Sequence, residues 1–398
     1  MDFALPAPVL EALQRVNARG HEAYAVGGCV RDLMRHVTPH DYDICVSCPP
    51  EETHACFAGE RVIDTGVKHG TVTVLLGGMS LEITTFRADG DYKDGRHPSS
   101  VRITPSLKED LKRRDFTVNA MAYHPASGVA DPFGGQRDLA AGILRCVGDA
   151  PTRLSEDALR ILRALRFSAQ LNFEIDPDTG RAMRQLRGRL ALVSRERIAE
   201  ELLRTVRFPA ASRVLAAYSE VFLAAMPDFP ACALARGVQA LAGLPGGEDA
   251  LGLAALLHGC DESRRHACLA SLKLSKALDG QVSQLAHWAD VPFSLADAPV
   301  LLAQMGREQM QRLLVLQQAC GTISPKEAAE RSARMEKALA DGLPLRLREL
   351  PISGDDLKAL GLSGPAIGQT LNALHRQVLR GELPCDREQL LLAAKAGS

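Results

Sequence analysis

Two stretches decide the fold: Ala25-Val26-Gly27-Gly28-Cys29-Val30-Arg31-Asp32 and, eight residues on, His40-Asp41-Tyr42-Asp43-Ile44-Cys45-Val46. In the first, a short apolar strand over Glu22–Val26 stops at two glycines, and Val30–His36 then has helical character. Without Cβ atoms the backbone there can approach a ligand closely, and the free N–H groups of a helix start point at an anion. Gly28 lies at that corner, and Arg31 falls in the first helical turn, where a guanidinium pairs with phosphate oxygens. Taken alone, the corner also fits an ordinary Gly-Gly turn. The second stretch reads as a strand over Tyr42–Val46. Side chains alternate along a strand, so Asp41 and Asp43 are expected on one face with Cα atoms about 6–7 Å apart. Two such carboxylates repel unless a cation lies between them. Hard oxygen ligands favour Mg²⁺, and a pair of ions can activate a hydroxyl and stabilise a leaving phosphate. In isolation, a strand edge decorated with aspartates explains the pair equally well.

Outward from these stretches the first 150 residues keep alternating. Pro50–Phe57 is expected as a helix, with proline and two glutamates in its first turn. Thr71–Leu76 and Ser80–Phe86 are β-rich runs separated by Gly77-Gly78, a hairpin signal. Ser106-Leu107-Lys108-Glu109 has the form of a capping box. From about Leu154 strand signals fade, and Leu, Ala and Arg recur at helical spacing, with breaks at Asp176-Pro177, Phe208-Pro209, Gly243–Gly247 and Asp341–Pro344. The expected fold is an α+β N-terminal domain with a small mixed sheet, followed by an all-α C-terminal region in several parts.

A Gly-Gly corner, a helix and then Asp-x-Asp on the next strand form a joint pattern. It resembles the nucleotidyltransferase superfamily that includes DNA polymerase β, poly(A) polymerases and CCA-adding enzymes. Further stretches sharpen the resemblance to the bacterial and eukaryotic class of CCA-adding enzymes: Thr65–Val74, Glu82–Arg87, Asp89–Tyr92 with Arg96-His97-Pro98, Glu109–Ala122, and Ser155-Glu156-Asp157-Ala158-Leu159-Arg160-Ile161-Leu162-Arg163-Ala164-Leu165-Arg166-Phe167. They run in family order across residues 22–207. The resemblance implies addition of CCA to the tRNA 3′ end from CTP and ATP, with Asp41 and Asp43 as catalytic Mg²⁺ ligands. It implies nucleotide contacts for Arg114, Arg163 and Arg166. It also implies a division into a catalytic head (1–150), a base-recognition neck (151–210), a body (211–320) and a tail (321–398), the last two holding the tRNA elbow and acceptor stem. Glu82 is left outside the metal set, and His69 and His97 are read as structural. The polar loop Arg87–Pro98 favours full CCA addition over addition of CC alone. A poly(A) polymerase, a CC-adding enzyme and a non-catalytic RNA-binding protein are the alternatives.

The motif at 155–167 has its own chemistry. Asp157 and Arg160 are expected as i, i+3 neighbours on a helix. A carboxylate accepts from an exocyclic amino group while a guanidinium donates to a ring acceptor. Cytosine and adenine offer that pair; uracil and guanine offer the reverse and would leave buried groups unpaired.

Composition bounds the rest. With 46% hydrophobic and 24% charged residues the chain is ordinary for a globular protein, and its net charge of −1 requires any nucleic acid to be held by local patches. Residues 181–207 carry eight arginines against three glutamates, a local +5, which fits either a solvated face or a phosphate contact. Lys326, Arg331, Arg334, Lys337, Arg346 and Arg348 form a second candidate contact. Zinc at Cys45, Cys48, His54 and Cys56 is disfavoured because a second close pair is wanting and Cys45 lies in an apolar strand. His258 and Asp261 are separated by two residues, unlike the adjacent His-Asp of a phosphohydrolase. The N-terminus lacks a signal-peptide pattern and no apolar run spans a bilayer, so a cytoplasmic location is expected.

Overall fold

The computed structural model describes residues 3–66, 70–89 and 101–396. The chain forms two units, Met1–Thr205 with Ala217–Pro227, and Val206–Ala216 with Asp228–Ser398.

The first unit begins α1 (Ala7–Asn17), β1 (Ala23–Val26), α2 (Gly28–Met34), β2 (Asp43–Val46), α3 (Pro50–Cys56), β3 (Arg61–Gly66), β4 (Thr71–Leu76) and β5 (Met79–Thr85). It continues β6 (Arg87–Asp89), β7 (Val101–Ile103), α4 (Leu107–Lys112), β8 (Ala122–His124), β9 (Gly128–Ala130), α5 (Gly135–Ala141) and β10 (Ile143–Leu144). Seven strands make one sheet in the order β3-β4-β5-β2-β1-β8-β9. It is mixed because β2 and β5 run parallel while their neighbours are antiparallel. Strand alternation gives it two apolar faces. Ile44, Val46, Val72, Val74, Leu81 and Ile83 pack with Val9, Leu13 and Val16 of α1, whereas Val26, Cys45, Phe86 and Ala122 pack with Leu111 of α4. The β4–β5 hairpin turns on Gly77 and Gly78, both at positive φ, as a two-residue turn requires.

Three local expectations are corrected. The strand expected from Tyr42 starts at Asp43, so Asp41 precedes it. The helix expected over Val30–His36 sits two residues earlier, ending before His36, which has a left-handed φ of 57°. At the capping box, Ser106 Oγ accepts the Glu109 N–H, but the Glu109 carboxylate accepts from Thr104 Oγ1 instead of reaching back. The expected loop Arg87–Pro98 lies mostly outside the described residues, as do His69 and His97. Its first three residues are described, and they pair with Val101–Ile103 as a two-stranded ribbon.

Helices follow: α6 (Ala150–Glu156), α7 (Leu159–Leu171), α8 (Pro177–Leu186) and α9 (Arg195–Val206), with a short β11 (Glu174–Ile175) pairing with β10. The break at Asp176-Pro177 is a helix start, with Asp176 Oδ2 accepting the Thr179 N–H. α7 buries Ile161, Leu162, Ala164, Leu165 and Phe167, which fixes the orientation of the arginines between them.

The second unit is helical. Past α10 (Ala211–Ala217) and α11 (Ser219–Ala225, in the first unit) come α12 (Leu234–Ala242) and α13 (Asp249–Leu257). α13 is buried from Ala250 to Leu257, as expected of a helix that is apolar all round. The C-terminal helices enclose a small core of their own, built on Leu350, Ile352, Leu357, Leu374, Val378 and Leu390. Among the described residues no helix is long and apolar enough to cross a membrane.

Candidate active site

The register of the sheet lines up three residues: Val26 of β1 faces Asp43 of β2, and Asp43 faces Glu82 of β5. The glycine corner after Val26 is thereby held beside Asp43. Asp41, just before the strand, has a side chain 82% exposed and among the described residues meets the exposed His40, at 2.8 Å. Asp43 opens to solvent at its tip. The walls around it nevertheless withdraw enough water to push its carboxyl above the ordinary range; Arg114 opposes this, while Glu82 and Asp41 add to it. Glu82 is a carboxylate that the sequence reading set aside. Only the long-range pairing of β2 with β5 brings it next to Asp43. Among the described residues no three His, Cys, Asp or Glu side chains converge as a metal cluster.

At the corner, the residue that must be glycine is Gly27. Its φ is +81°, and a Cβ there would stand 2.8 Å from Arg114 Nη1. Gly28 is the first residue of α2 and lies against the Arg31 guanidinium. Arg31 is buried; it donates to both oxygens of Asp32 and, at 2.7 Å, to Asn119 Oδ1. Arg114 meets Asp110 at 3.4 Å, and its Nε is buried without a partner among the described residues. Desolvation works against the Arg114 charge, but Asp110, Cys45 and Asp43 raise its pKa.

The opposite wall is α7. Arg163 Nε donates to Asp115 Oδ2 at 2.8 Å, and Arg166 Nε to Glu201 Oε2 at 2.6 Å. Burial alone would raise the Asp115 carboxyl; Arg163 and then Arg160, with the Phe116 N–H, bring it down to about 2. The Phe167 ring is shared by three guanidinium groups, Arg166 at 3.9 Å, Arg163 at 5.2 Å and Arg31 at 5.5 Å. Each such contact contributes on the order of 1 kcal/mol.

The expected pairing of Asp157 with Arg160 is corrected. Asp157 lies in the break between α6 and α7, extended at φ −138°, ψ 107°, and its Oδ1 accepts the Leu159 N–H at 3.0 Å. Arg160 does not reach Asp157; it donates to Glu156 at 2.5 Å and to the carbonyls of Arg153 and Arg113. The cation on Asp157 is Arg197 of α9, at 3.1 Å.

All nine residues singled out from the sequence, Gly28, Arg31, Asp41, Asp43, Arg114, Asp157, Arg160, Arg163 and Arg166, line one cavity of about 610 Å³ within the first unit. Asp115, Asn119, Phe167 and Gln170, which the sequence singled out for no role, also line it, as do Arg197 and Arg204 of the +5 stretch. Eight arginines face five aspartates there, an excess of positive charge suited to a polyphosphate. Size does not single this cavity out, since others of about 590 and 680 Å³ exist, but those hold two arginines and one.

Other readings change. The +5 stretch is not a bare basic face: Arg181, Arg184 and Arg204 are paired with Asp178, Glu220 and Glu200. Arg331 is turned inward, donating to the Phe293 carbonyl at 2.8 Å. Cys45 and Cys48 belong to different apolar clusters, so they do not chelate together. His258 faces Asp290 at 3.3 Å, not Asp261, which caps α14 (Glu262–Leu272).

Comparison with known proteins agrees along the chain. The sequence profile of the Poly A polymerase head domain matches residues 23–145, that of the RNA- and SrmB-binding site of polymerase A matches 172–226, and that of tRNA nucleotidyltransferase domain 2 matches 247–394. The CCA-adding enzyme of Limosilactobacillus fermentum is 36% identical over 400 residues, covering 98% of this chain and 97% of its own. That of Geobacillus stearothermophilus is 36% identical over 406 residues, covering 96% of each. Among solved structures, the Bacillus stearothermophilus CCA-adding enzyme in complex with CTP superposes with a TM-score of 0.82 at 29% identity, over 99% of this chain and 98% of that one.

Proposed function

The chain belongs to the CCA-adding enzymes, a family of tRNA nucleotidyltransferases, and on that premise we propose that it adds C, C and A to the tRNA 3′ end from CTP and ATP, releasing pyrophosphate at each addition. One observation carries this reading: two uncompensated carboxylates stand in the same cavity as a wall of ordered arginines.

Asp41 and Asp43 would hold two Mg²⁺ ions. The donors fit: both are hard oxygen ligands, and burial, with Glu82 and Asp41 nearby, raises the Asp43 carboxyl against the opposing charge of Arg114, so a cation there would relieve it. Bound there, the ions would supply activation of the attacking 3′-hydroxyl and neutralisation of the leaving pyrophosphate. The N–H groups at Gly28, with Arg31, Arg114, Arg163 and Arg166, receive the triphosphate. Because Asp32 and Asn119, Asp110, Asp115 and Glu201 already hold Arg31, Arg114, Arg163 and Arg166 in turn, little ordering entropy is lost when phosphate arrives. Asp157 and Arg160 do not pair with each other but line the same cavity, and from there they would read the base edge and select C and A by its donor–acceptor polarity.

The division into head (1–150), neck (151–210), body (211–320) and tail (321–398) assigns tRNA to the helical parts, chiefly through backbone and shape. A related enzyme from Thermotoga maritima, solved with tRNA, shares the fold with a TM-score of 0.69. The protein would act in the cytoplasm.

The test is end-point addition to one tRNA transcript ending before CCA, at C or at CC, with each labelled nucleotide and Mg²⁺. Ordered addition of C, C and A that then stops is expected. Addition of C alone marks a CC-adding enzyme, long A tails a poly(A) polymerase, and no addition a binding protein.

A further inference from the structure

The ring of Phe167 gathers arginines that reach it from two different helices. Arg163 and Arg166 share α7 with it, and Arg31 comes from α2. Their guanidinium carbons stand 5.2, 3.9 and 5.5 Å from the ring centroid. Phe167 lines the cavity beside all of them and is 7% exposed. Phe116 packs edge-on against it at 5.8 Å, which fixes the ring in place.

Like charges this close repel one another. Burial lowers the Arg166 pKa, Glu201 opposes that, and the nearby Arg163 lowers it further. Each guanidinium already has a partner at its edge: Asp32 and Asn119 for Arg31, Asp115 for Arg163, Glu201 and Gln170 for Arg166. A further carboxylate would quiet the cluster, but it would occupy N–H donors and cancel charge. An aromatic face attracts a cation without doing either, because a guanidinium donates at its edge and stacks through its plane. A guanidinium carries five N–H groups, so donors remain for a ligand.

We propose that Phe167 is a positioning residue for nucleotide addition, whose ring holds Arg31, Arg163 and Arg166 as one cluster facing the triphosphate. This deepens the proposed function and rests on its assignment of those arginines to the phosphates. An aliphatic side chain would fill the space but leave the repulsion among the cations unopposed. They would spread apart and have to be gathered again when a nucleotide arrives. CTP and ATP carry the same triphosphate, so both should suffer alike.

The experiment is single-nucleotide addition by the full chain, with CTP on tRNA ending before CCA and ATP on tRNA ending at CC. The kcat and KM values are resolved separately, and thermal melting is run in parallel. Phe167 is replaced by Leu, and in turn by phenylalanines carrying one, two and three ring fluorines, which weaken the negative face at nearly constant shape. Arg163→Ala is the control on the phosphate assignment. Phe167→Leu is expected to raise KM for CTP and for ATP by about tenfold, with KM for tRNA unchanged. Each added fluorine should raise log KM by a further step while the melting temperature holds. A KM that rises in Phe167→Leu but stays flat across the fluorine series would overturn the proposal and leave the ring a packing residue. A loss confined to kcat, or to one of the two nucleotides, would overturn it as well. If Arg163→Ala raises KM while the fluorine series is flat, the phosphate assignment stands without the proposal. If Arg163→Ala leaves both KM values unchanged, that assignment falls and the proposal falls with it.

Discussion

The two walls of the cavity treat charge in opposite ways. On the sheet side, Asp41 and Asp43 stand open with Glu82 alongside, and Arg114 is the cation that opposes the charge of Asp43. On the α7 side nearly every charge is compensated: Asp115 holds Arg163, Glu201 holds Arg166, Glu156 holds Arg160 and Arg197 holds Asp157. A wall that is internally satisfied is finished by folding. A wall that repels itself is finished by something it binds. The difference separates residues that prepare a site from residues that await a partner, and it can be tested from both sides.

The sheet side should give the largest effect. Asp41→Ala or Asp43→Ala is expected to lower nucleotide transfer by about a thousandfold or more. A bound metal supplies several kcal/mol of transition-state stabilisation, and about 1.4 kcal/mol is tenfold in rate. Melting temperature should hardly fall, because neither carboxylate supports the fold. Rapid-quench single-turnover assays and thermal melting check the two halves; transfer near the native rate would break the contrast.

The α7 side should answer in the opposite currency. Asp115→Asn takes the 2.6 Å counter-charge from Arg163, whose side chain is 34% exposed, and leaves it Glu201 at 4.0 Å, a change that should cost about 1–3 kcal/mol, less than the loss from a fully buried pair. Chemical denaturation should show that loss. The pH dependence carries a sign. The Asp115 pKa is depressed to about 2 in the folded chain. Its contribution is therefore fully present above the unfolded-state value of about 4 and is lost as pH falls toward 2. In the variant, the acid limb of the stability curve between those values should flatten.

How much of this was legible in the sequence follows from the range of each interaction. The helical region from about Leu154 was readable because a 3.6-residue period is local, and the glycine corner and Asp-x-Asp were readable for the same reason. Glu82 was not, since its place depends on the pairing of β2 with a strand nearly forty residues later. Arg197 was legible only as part of a basic stretch, because its partner Asp157 lies forty residues back, and Asp115 escaped because Arg163 lies forty-eight residues on. Asp157 was misread for a subtler reason. The helical pattern was extended one turn too far, to a residue whose short carboxylate competes for backbone N–H groups and favours a helix start over a helix interior.

The smallest expected effect sharpens the comparison most, because it has the opposite sign on the two walls. Asp43→Asn removes the charge and keeps the shape. The folded chain raises the Asp43 carboxyl, so it disfavours the ionised form relative to the unfolded chain. Such a group adds stability only when protonated, and that contribution is lost as pH rises through its folded value. At neutral pH without divalent metal, the variant should therefore be as stable as the native chain or slightly more so, by no more than about 1 kcal/mol, because solvent in the cavity screens the charge. Adding Mg²⁺ should raise the melting temperature of the native chain and leave that of the variant nearly unchanged, since only a ligand that binds the folded state shifts the midpoint. A destabilised Asp43→Asn protein, comparable to Asp115→Asn, would mean that Asp43 is a structural partner of Arg114 and that both walls are finished by folding alone.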